Sequence, residues 1–85
     1  MTGQWLITFR SITFAQRAER VLKSRKVDCQ LQRTPKALTE RGCGYCLRLR
    51  AVDAPIAIEH LKREQVSYGK LYALDGDGST QEKKL

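Results

Sequence analysis

The hydrophobic positions of this sequence repeat with a period of two in some segments and with a helical period in others. Residues 4–9, QWLITF, are apolar and β-rich, which predicts a buried strand. Residues 27–33 (VDCQLQR) and 45–51 (YCLRLRA) alternate between apolar and polar side chains, so each predicts a strand with one side in water. Residues 66–74 (VSYGKLYAL) predict a last strand.

Two segments between these strands have the spacing of amphipathic helices. The first follows an N-cap at Ser11 or Thr13 and extends to about residue 25. The second follows a cap at Asp53, with Pro55 in its first turn, where proline is tolerated. The predicted apolar stripes are Phe14, Ala18, Val21 and Leu22 in the first helix, and Ala54, Ala57, Ile58 and Leu61 in the second.

The order of these elements is two strand–helix–strand units in tandem. It predicts a ferredoxin-like α+β fold, βαββαβ, in which a four-stranded antiparallel sheet carries both helices on one face. Residues 1–74 form this single domain, and residues 75–85 are expected to be a flexible polar tail. The other face of the sheet is expected to be open and to carry Gln30, Gln32, Cys46, Arg48, Arg50, Lys70 and Tyr72.

Composition places the chain among small reduced proteins of the cytoplasm. A length of 85 residues allows one domain with a modest core, and an apolar share of 41% is ordinary for a folded protein. No apolar run is long enough to span a bilayer, and the N-terminus lacks a signal-peptide pattern. We therefore expect the three cysteines to be reduced, and their odd number argues against a disulfide framework.

The net charge of +7 indicates a polyanion or an acidic protein as partner. An open sheet face with Arg48, Arg50, Lys70 and Tyr72 resembles the RNA-binding face of an RRM, although arginines stand where that module has its stacking aromatics. Nucleic-acid binding is therefore the second candidate function. A protein-interaction or oligomer-forming module that uses the open face or the edge strands is a further alternative.

The cysteines Cys29, Cys43 and Cys46 and the single His60 are together a complete set of zinc ligands by residue type. The alternation of the strands opposes such a site, because Cys29 is expected to face the core and Cys46 the open face. If Arg33 lies opposite Tyr45, Cys29 is also about four residues away along the hairpin, or about 13 Å at strand rise. We expect no metal site.

The pair Cys43 and Cys46 has the C-x-x-C spacing of redox and metal-transfer motifs. Thioredoxin-like proteins place this pair at the start of a helix, and heavy-metal chaperones of the ferredoxin-like fold place it in the first strand–helix loop. Here it opens a strand in the second half of the hairpin, so both analogies fail on position. Two interpretations of Cys43 stay open: a reactive thiol between Gly42 and Gly44 with the cations Arg33, Lys36, Arg41 and Arg48 nearby, or a glycine turn with an incidental cysteine.

The string TPKALTERGCGYCLRL, residues 34–49, resembles the signature of the selenium/sulfur carrier protein-like family, a small bacterial family first catalogued as a domain of unknown function. The resemblance covers residues 4 to about 73. It rests on a Ser or Thr start to the first helix, here Ser11 to Glu19, on the pair Pro35 and Lys36, and on Cys43 and Gly44 opening a strand. Lys36 stands where the family often has Arg, and Cys46 where it commonly has a small apolar residue.

The resemblance implies that Cys43 holds sulfur or selenium as a persulfide or selenosulfide, without any other cofactor and without turnover of its own. Donor and acceptor proteins are then the expected partners, and Lys36 and Arg41 would favour the thiolate or steer an anionic donor. Cys46 leaves open whether this member carries a chalcogen or cycles a disulfide. An outward-facing Cys46 would act as a resolving thiol that attacks the cargo on Cys43.

Overall fold

The computed structural model describes residues 3–34, 44–74 and 80–83. Within these residues the chain forms two α-helices and one five-stranded sheet. A short 3-10 turn at Ala51–Asp53 leads into the second helix. The elements in chain order are β1 (Gln4–Phe9), α1 (Ile12–Ser24), β2 (Cys29–Arg33), β3 (Tyr45–Arg50), α2 (Ala54–Arg63), β4 (Leu71–Leu74) and β5 (Thr80–Lys83).

The strands are arranged in the order β2-β3-β1-β4-β5, and every neighbouring pair is antiparallel. The prediction of four strands is wrong, because Thr80–Lys83 pairs with Leu71–Leu74 as a fifth strand. The expected flexible tail is likewise corrected at these four residues; residues 75–79 and 84–85 lie outside the described part. Backbone hydrogen bonds to β4 order this polar segment, although it buries little apolar surface. Hydrophobic periodicity in the sequence does not reveal such backbone pairing.

Helix α1 follows Ser11, which lies in the N-cap position with extended backbone but makes no side-chain capping hydrogen bond. Its buried residues are Ala15, Ala18 and Leu22, whereas Phe14 of the predicted stripe is 38% exposed. The helix therefore turns a small alanine rather than the phenylalanine toward the sheet, which lets its backbone approach closely.

Helix α2 matches its predicted inner face, because Ala54, Ala57, Ile58 and Leu61 are all buried. Asp53 lies in the N-cap position as predicted, but its carboxylate makes no side-chain capping hydrogen bond. The carboxylate instead accepts a hydrogen bond from Arg50 Nε at 2.9 Å. An ion pair with the preceding strand has replaced the cap.

Both helices pack on one face of the sheet. The core contains Ala15, Ala18 and Leu22 of α1 and Ala57, Ile58 and Leu61 of α2. The cross-strand partners Ile7, Leu47 and Leu71 place the matching sheet residues on that same face. The other strand residues of the core on this face are Phe9, Cys29 and Leu49.

The opposite face of the sheet is not uniformly open, which corrects the expectation from the sequence. Leu6 and Cys46 alternate with core residues and so lie on this second face, yet they are only 1% and 0% exposed. Arg48 is the cross-strand partner of Leu6 and is only partly exposed. Its Nε donates a short hydrogen bond to Gln4 Oε1, which draws the long side chain over the same face.

The last predicted strand is shorter than residues 66–74 suggested, since β4 begins only at Leu71. The main chain before it is held by Thr8: the N–H of Gly69 donates to the Thr8 carbonyl at 2.6 Å, and the N–H of Lys70 donates to Thr8 Oγ1 at 2.7 Å. A Cβ on residue 69 would lie 2.6 Å from Thr8 Oγ1, so only glycine fits. The hydroxyl thus replaces regular pairing at this end of the sheet.

Candidate functional site

The predicted site lies where the hairpin of β2 and β3 leads into residues 35–43. Its residues Pro35, Lys36, Arg41, Gly42 and Cys43 lie outside the described part of the chain. The two residues that border the segment are described. The N–H of Thr34 donates to the carbonyl of Gly44 at 3.2 Å, which continues the hairpin ladder by one further bond.

Gly44 has a φ of 147°, in the region that residues with a side chain rarely adopt. A Cβ at this position would lie 3.5 Å from Thr34 Oγ1 and 3.7 Å from the carbonyl oxygen of Phe9. Space is therefore available, and the backbone conformation alone selects glycine. The positive φ just before β3 therefore explains why a glycine follows Cys43 in the sequence.

Cys46 lies on the predicted second face, but the expected exposure of its side chain is wrong, because it is 0% exposed. Its cross-strand neighbours on that face are Thr8 on β1 and Gln32 on β2. The thiol also lies 3.9 Å from the carbonyl oxygen of Arg33, to which it donates a weak hydrogen bond. The outward position was correctly predicted from alternation, which carries no information on what covers the residue.

Burial raises the pKa of the Cys46 thiol, while the nearby side chains of Thr34 and Gln32 and the charge of Arg48 oppose the rise. Thr34 Oγ1 is itself buried and has no hydrogen-bond partner among the described residues. A buried, protonated thiol is a poor nucleophile in this conformation.

Cys29 is 9% exposed and belongs to the core, as its alternating strand predicted. Burial, followed by the negative charge of Glu19, raises the pKa of this thiol to about 11. Lys23 opposes the rise. Cys29 is an inert apolar side chain at neutral pH, in agreement with its predicted role.

The candidate zinc ligands do not converge within the described residues. Cys29 and Cys46 lie on opposite faces of the sheet, Arg33 pairs with Tyr45 as anticipated, and Cys29 pairs with Leu49. His60 is on α2. No group of three metal-ligating side chains occurs in the described part, which does not include Cys43.

The cations of the second face have partners within the protein. Arg48 binds Gln4, and Arg50 pairs with Asp53. Lys70 lies 3.8 Å from Glu82 of the unexpected fifth strand. The face is therefore less cationic than its sequence suggested, because β5 and the turn before α2 bring carboxylates to it.

A shallow cleft of about 610 Å³ lies at the far end of the sheet from Gly44. Lys23 and Arg50 in its wall are paired with Glu19 and Asp53, so the local excess of positive charge is small. The residues that line the cleft are Gln4, Lys23, Asp28, Cys29, Gln30, Arg48, Leu49 and Arg50.

Two residues of this region carried no signal that singled them out in the sequence. Thr34 borders the loop and lies close to both Gly44 and Cys46, and Thr8 fixes the chain before β4. A threonine directly before Pro35 was visible, but its burial depends on the hairpin register. Among the described residues, no helix has the length and apolar character needed to cross a membrane.

The described residues form a small α+β fold in which residues 35–43 precede β3, an interior strand of the sheet. The model of one family, described as "Putative Se/S carrier protein-like", matches residues 4–73. The chain belongs to this family. A search of curated proteins gave no significant match.

Proposed function

We propose that this protein carries sulfur or selenium on Cys43 for transfer between partner proteins. The observation that carries the proposal is the family match over residues 4–73, which spans every described element except β5 and includes the whole loop motif. Gly44 supports the proposal, because its positive φ is a conformation that favours glycine and so gives a structural reason for the Cys-Gly pair of the motif. We further propose that β1 to β4 and the two helices form a ferredoxin-like unit, extended by β5 at one edge.

For sulfur, the transfer balances without an added oxidant or reductant. The thiolate of Cys43 attacks the outer sulfur of a donor persulfide, R–S–SH; the new bond gives Cys43–S–SH, and the donor leaves as R–S⁻. An acceptor thiolate then attacks the same outer sulfur and releases the Cys43 thiolate. The protein returns unchanged without turnover chemistry of its own, which is the behaviour of a carrier rather than an enzyme.

Cys46 has a supporting part in this proposal. Its thiol is buried, its pKa is raised, and it contacts the carbonyl of Arg33 next to Thr34. Those contacts hold the chain at Arg33 and Thr34, on one side of residues 35–43. The resolving role first assigned to Cys46 would require this side chain to leave its buried position.

Lys36 and Arg41 keep their proposed part in favouring the Cys43 thiolate, by their position in sequence. Arg33 is an exposed cation at the end of β2, and its strand is hydrogen bonded to the one that begins after Gly44. Partner proteins that give and receive the chalcogen follow from the carrier function. Nucleic-acid binding through the second face is disfavoured, because Arg48, Arg50 and Lys70 have intramolecular partners.

The test is the intact mass of the reduced protein after treatment with a small persulfide (R–S–SH) or selenopersulfide (R–S–SeH) donor, each of which transfers its outer atom and leaves as R–S⁻. We expect a gain of one chalcogen atom that a reducing agent removes. The gain should persist in Cys29→Ser and Cys46→Ser and disappear in Cys43→Ser. If the wild-type protein acquires no adduct, or if Cys43→Ser acquires it equally, Cys43 is not the carrying atom.

A further inference from the structure

The end of the sheet that borders Gly44 exposes both apolar and cationic side chains. Ile12 and Phe14, in the first turn of α1, are 39% and 38% exposed. Arg10 and Arg33 are exposed at the ends of β1 and β2. We call these four residues the hairpin-end surface.

Strand register places this surface beside the proposed carrier position. Phe9 pairs with Tyr45, and Tyr45 pairs with Arg33, so the three residues form one row across the sheet. Cross-strand Cα atoms are about 5 Å apart, which puts Arg10 and Arg33 within roughly 15 Å of each other with Gly44 between their strands. Alternation places Arg33 on the face that carries α1, where Ile12 and Phe14 begin the helix.

Arg10 and Arg33 of the hairpin-end surface differ from the cations that are held in ion pairs. Lys23, Arg25, Arg50, Arg63 and Lys70 each have a carboxylate within 4.0 Å. Among the described residues, no carboxylate lies that close to Arg10 or Arg33. Cations with solvated heads next to exposed apolar side chains are complementary to an acidic segment that also carries an apolar residue.

We propose that the hairpin-end surface is the docking site for an acidic, apolar-containing segment of the protein that exchanges the chalcogen with Cys43. The inference rests on the proposed function, which requires a partner to approach Cys43 at this end of the sheet. Arg10 and Arg33 attract the acidic residues, and Ile12 and Phe14 receive the apolar one. Docking therefore brings the partner's sulfur toward the loop and raises the rate of exchange.

The opposite end of the molecule supplies a matched control surface. Val52 and Ile56 are 77% and 47% exposed, so they are at least as accessible as Ile12 and Phe14. They follow Arg50, which pairs with Gln4 at the other end of β1 from Phe9. A partner that must reach Cys43 gains nothing from contacts there.

The probes are two synthetic peptides that each carry one cysteine as a mixed disulfide with 2-thiopyridine. One peptide contains aspartates, glutamates and a leucine; in the other, lysines replace the acidic residues. The Cys43 thiolate attacks the peptide sulfur, a new disulfide forms, and pyridine-2-thiolate leaves, so absorbance gives the rate. A small neutral pyridyl disulfide measures the intrinsic reactivity of Cys43, and peptide mapping confirms which cysteine reacts.

We expect the acidic peptide to react about 10-fold faster than the basic one at low salt, with the difference shrinking as salt is added. Arg10→Glu should slow the acidic peptide by about 3- to 10-fold and leave the neutral disulfide unchanged, whereas Arg33→Glu should slow the acidic peptide by more than it slows the neutral disulfide. Arg20→Glu, about two turns further along α1, should stay within about twofold of wild type. Phe14→Ser should slow the acidic peptide, whereas Val52→Ser should not.

Equal rates for the two peptides, or insensitivity to Arg10→Glu and Arg33→Glu, would overturn the docking site while a reactive Cys43 keeps the carrier function. If Cys43 rejects even the neutral disulfide, fluorescent forms of the peptides with serine in place of cysteine test docking by direct binding. Tighter binding of the acidic peptide would then support the docking site but not the carrier function. Equal binding of the two peptides would overturn the docking proposal. Binding of a single-stranded oligonucleotide that excludes the acidic peptide would assign the surface to nucleic acid instead.

Discussion

The thiol of Cys46 lies 3.9 Å from the main-chain carbonyl of Arg33 and is closed to solvent, although it stands on the face of the sheet that carries no helix. This contact ties β3 to the end of β2 through a side chain. It joins the second cysteine of the C-x-x-C pair to Arg33, two residues before the segment 35–43 whose sequence includes the first.

The first prediction concerns the accessibility of Cys46. Because the thiol is buried and its pKa is raised, iodoacetamide should modify it at least about 10-fold more slowly in the native protein than in denaturant. Time-resolved peptide mass spectrometry measures both rates. Modification at the unfolded rate would mean that the second face opens readily.

The second prediction separates a supporting Cys46 from a resolving one. If Cys46 stays buried during the carrier cycle, a chalcogen adduct on Cys43 should have the same lifetime in Cys46→Ser as in wild type. Unfolding experiments should show a loss of about 1 kcal/mol in the same variant, because the serine fills the thiol's packing position poorly. A longer-lived adduct in Cys46→Ser would restore the resolving role.

Gly44 provides a test of the loop's backbone geometry. Gly44→Ala should lower the free energy of unfolding by about 1–2 kcal/mol, because φ at this position is 147°. Gly3→Ala is the matched control, since its Cβ would meet only Ala51 Cβ, at 3.7 Å. Denaturant titrations compare the two variants, and similar losses would show that backbone strain at Gly44 is not the cause.

The pKa of Cys29 predicts a fall in stability at alkaline pH. Its folded value of about 11 lies above the reference value of 9.0, so its contribution is complete below pH 9 and is lost as the pH rises toward 11. The free energy of unfolding should then fall by at most about 1.4 kcal/mol per pH unit from this group. Denaturant titrations from pH 8 to 10.5 should show a weaker dependence in Cys29→Ala, and an equal dependence would contradict the assignment.

Thr8 offers a test of the non-strand connection before β4. Its hydroxyl accepts a hydrogen bond from the N–H of Lys70 at 2.7 Å and donates one to the Lys70 carbonyl at 3.2 Å. Thr8→Val should therefore cost about 1 kcal/mol of stability, whereas Thr8→Ser keeps both bonds and should cost less. Thermal unfolding of the two variants makes the comparison, and the reverse order would show that methyl packing outweighs these hydrogen bonds.

Part of the strand geometry next to the candidate site was predictable from the sequence, whereas Pro35, Lys36, Arg41, Gly42 and Cys43 stay predictions. Alternation alone assigned Cys29 to the core and Cys46 to the other face, and the strand register agrees with the supposition that Arg33 lies opposite Tyr45. What alternation missed was the burial of Cys46. Side-chain direction is a local property of a strand, whereas exposure depends on neighbours such as Gln32 and Thr8 that come from other strands.

The sequence by itself determined the α+β class, both helices and the first three strands, because periods of 2 and 3.6 in hydrophobicity arise from local backbone geometry. It also carried the resemblance to the family whose model matches residues 4–73. Only the tertiary structure decided that Thr80–Lys83 joins the sheet and that Lys70 meets Glu82. Both are long-range pairings of polar residues, and such pairings stabilise the fold through partners that no local pattern names.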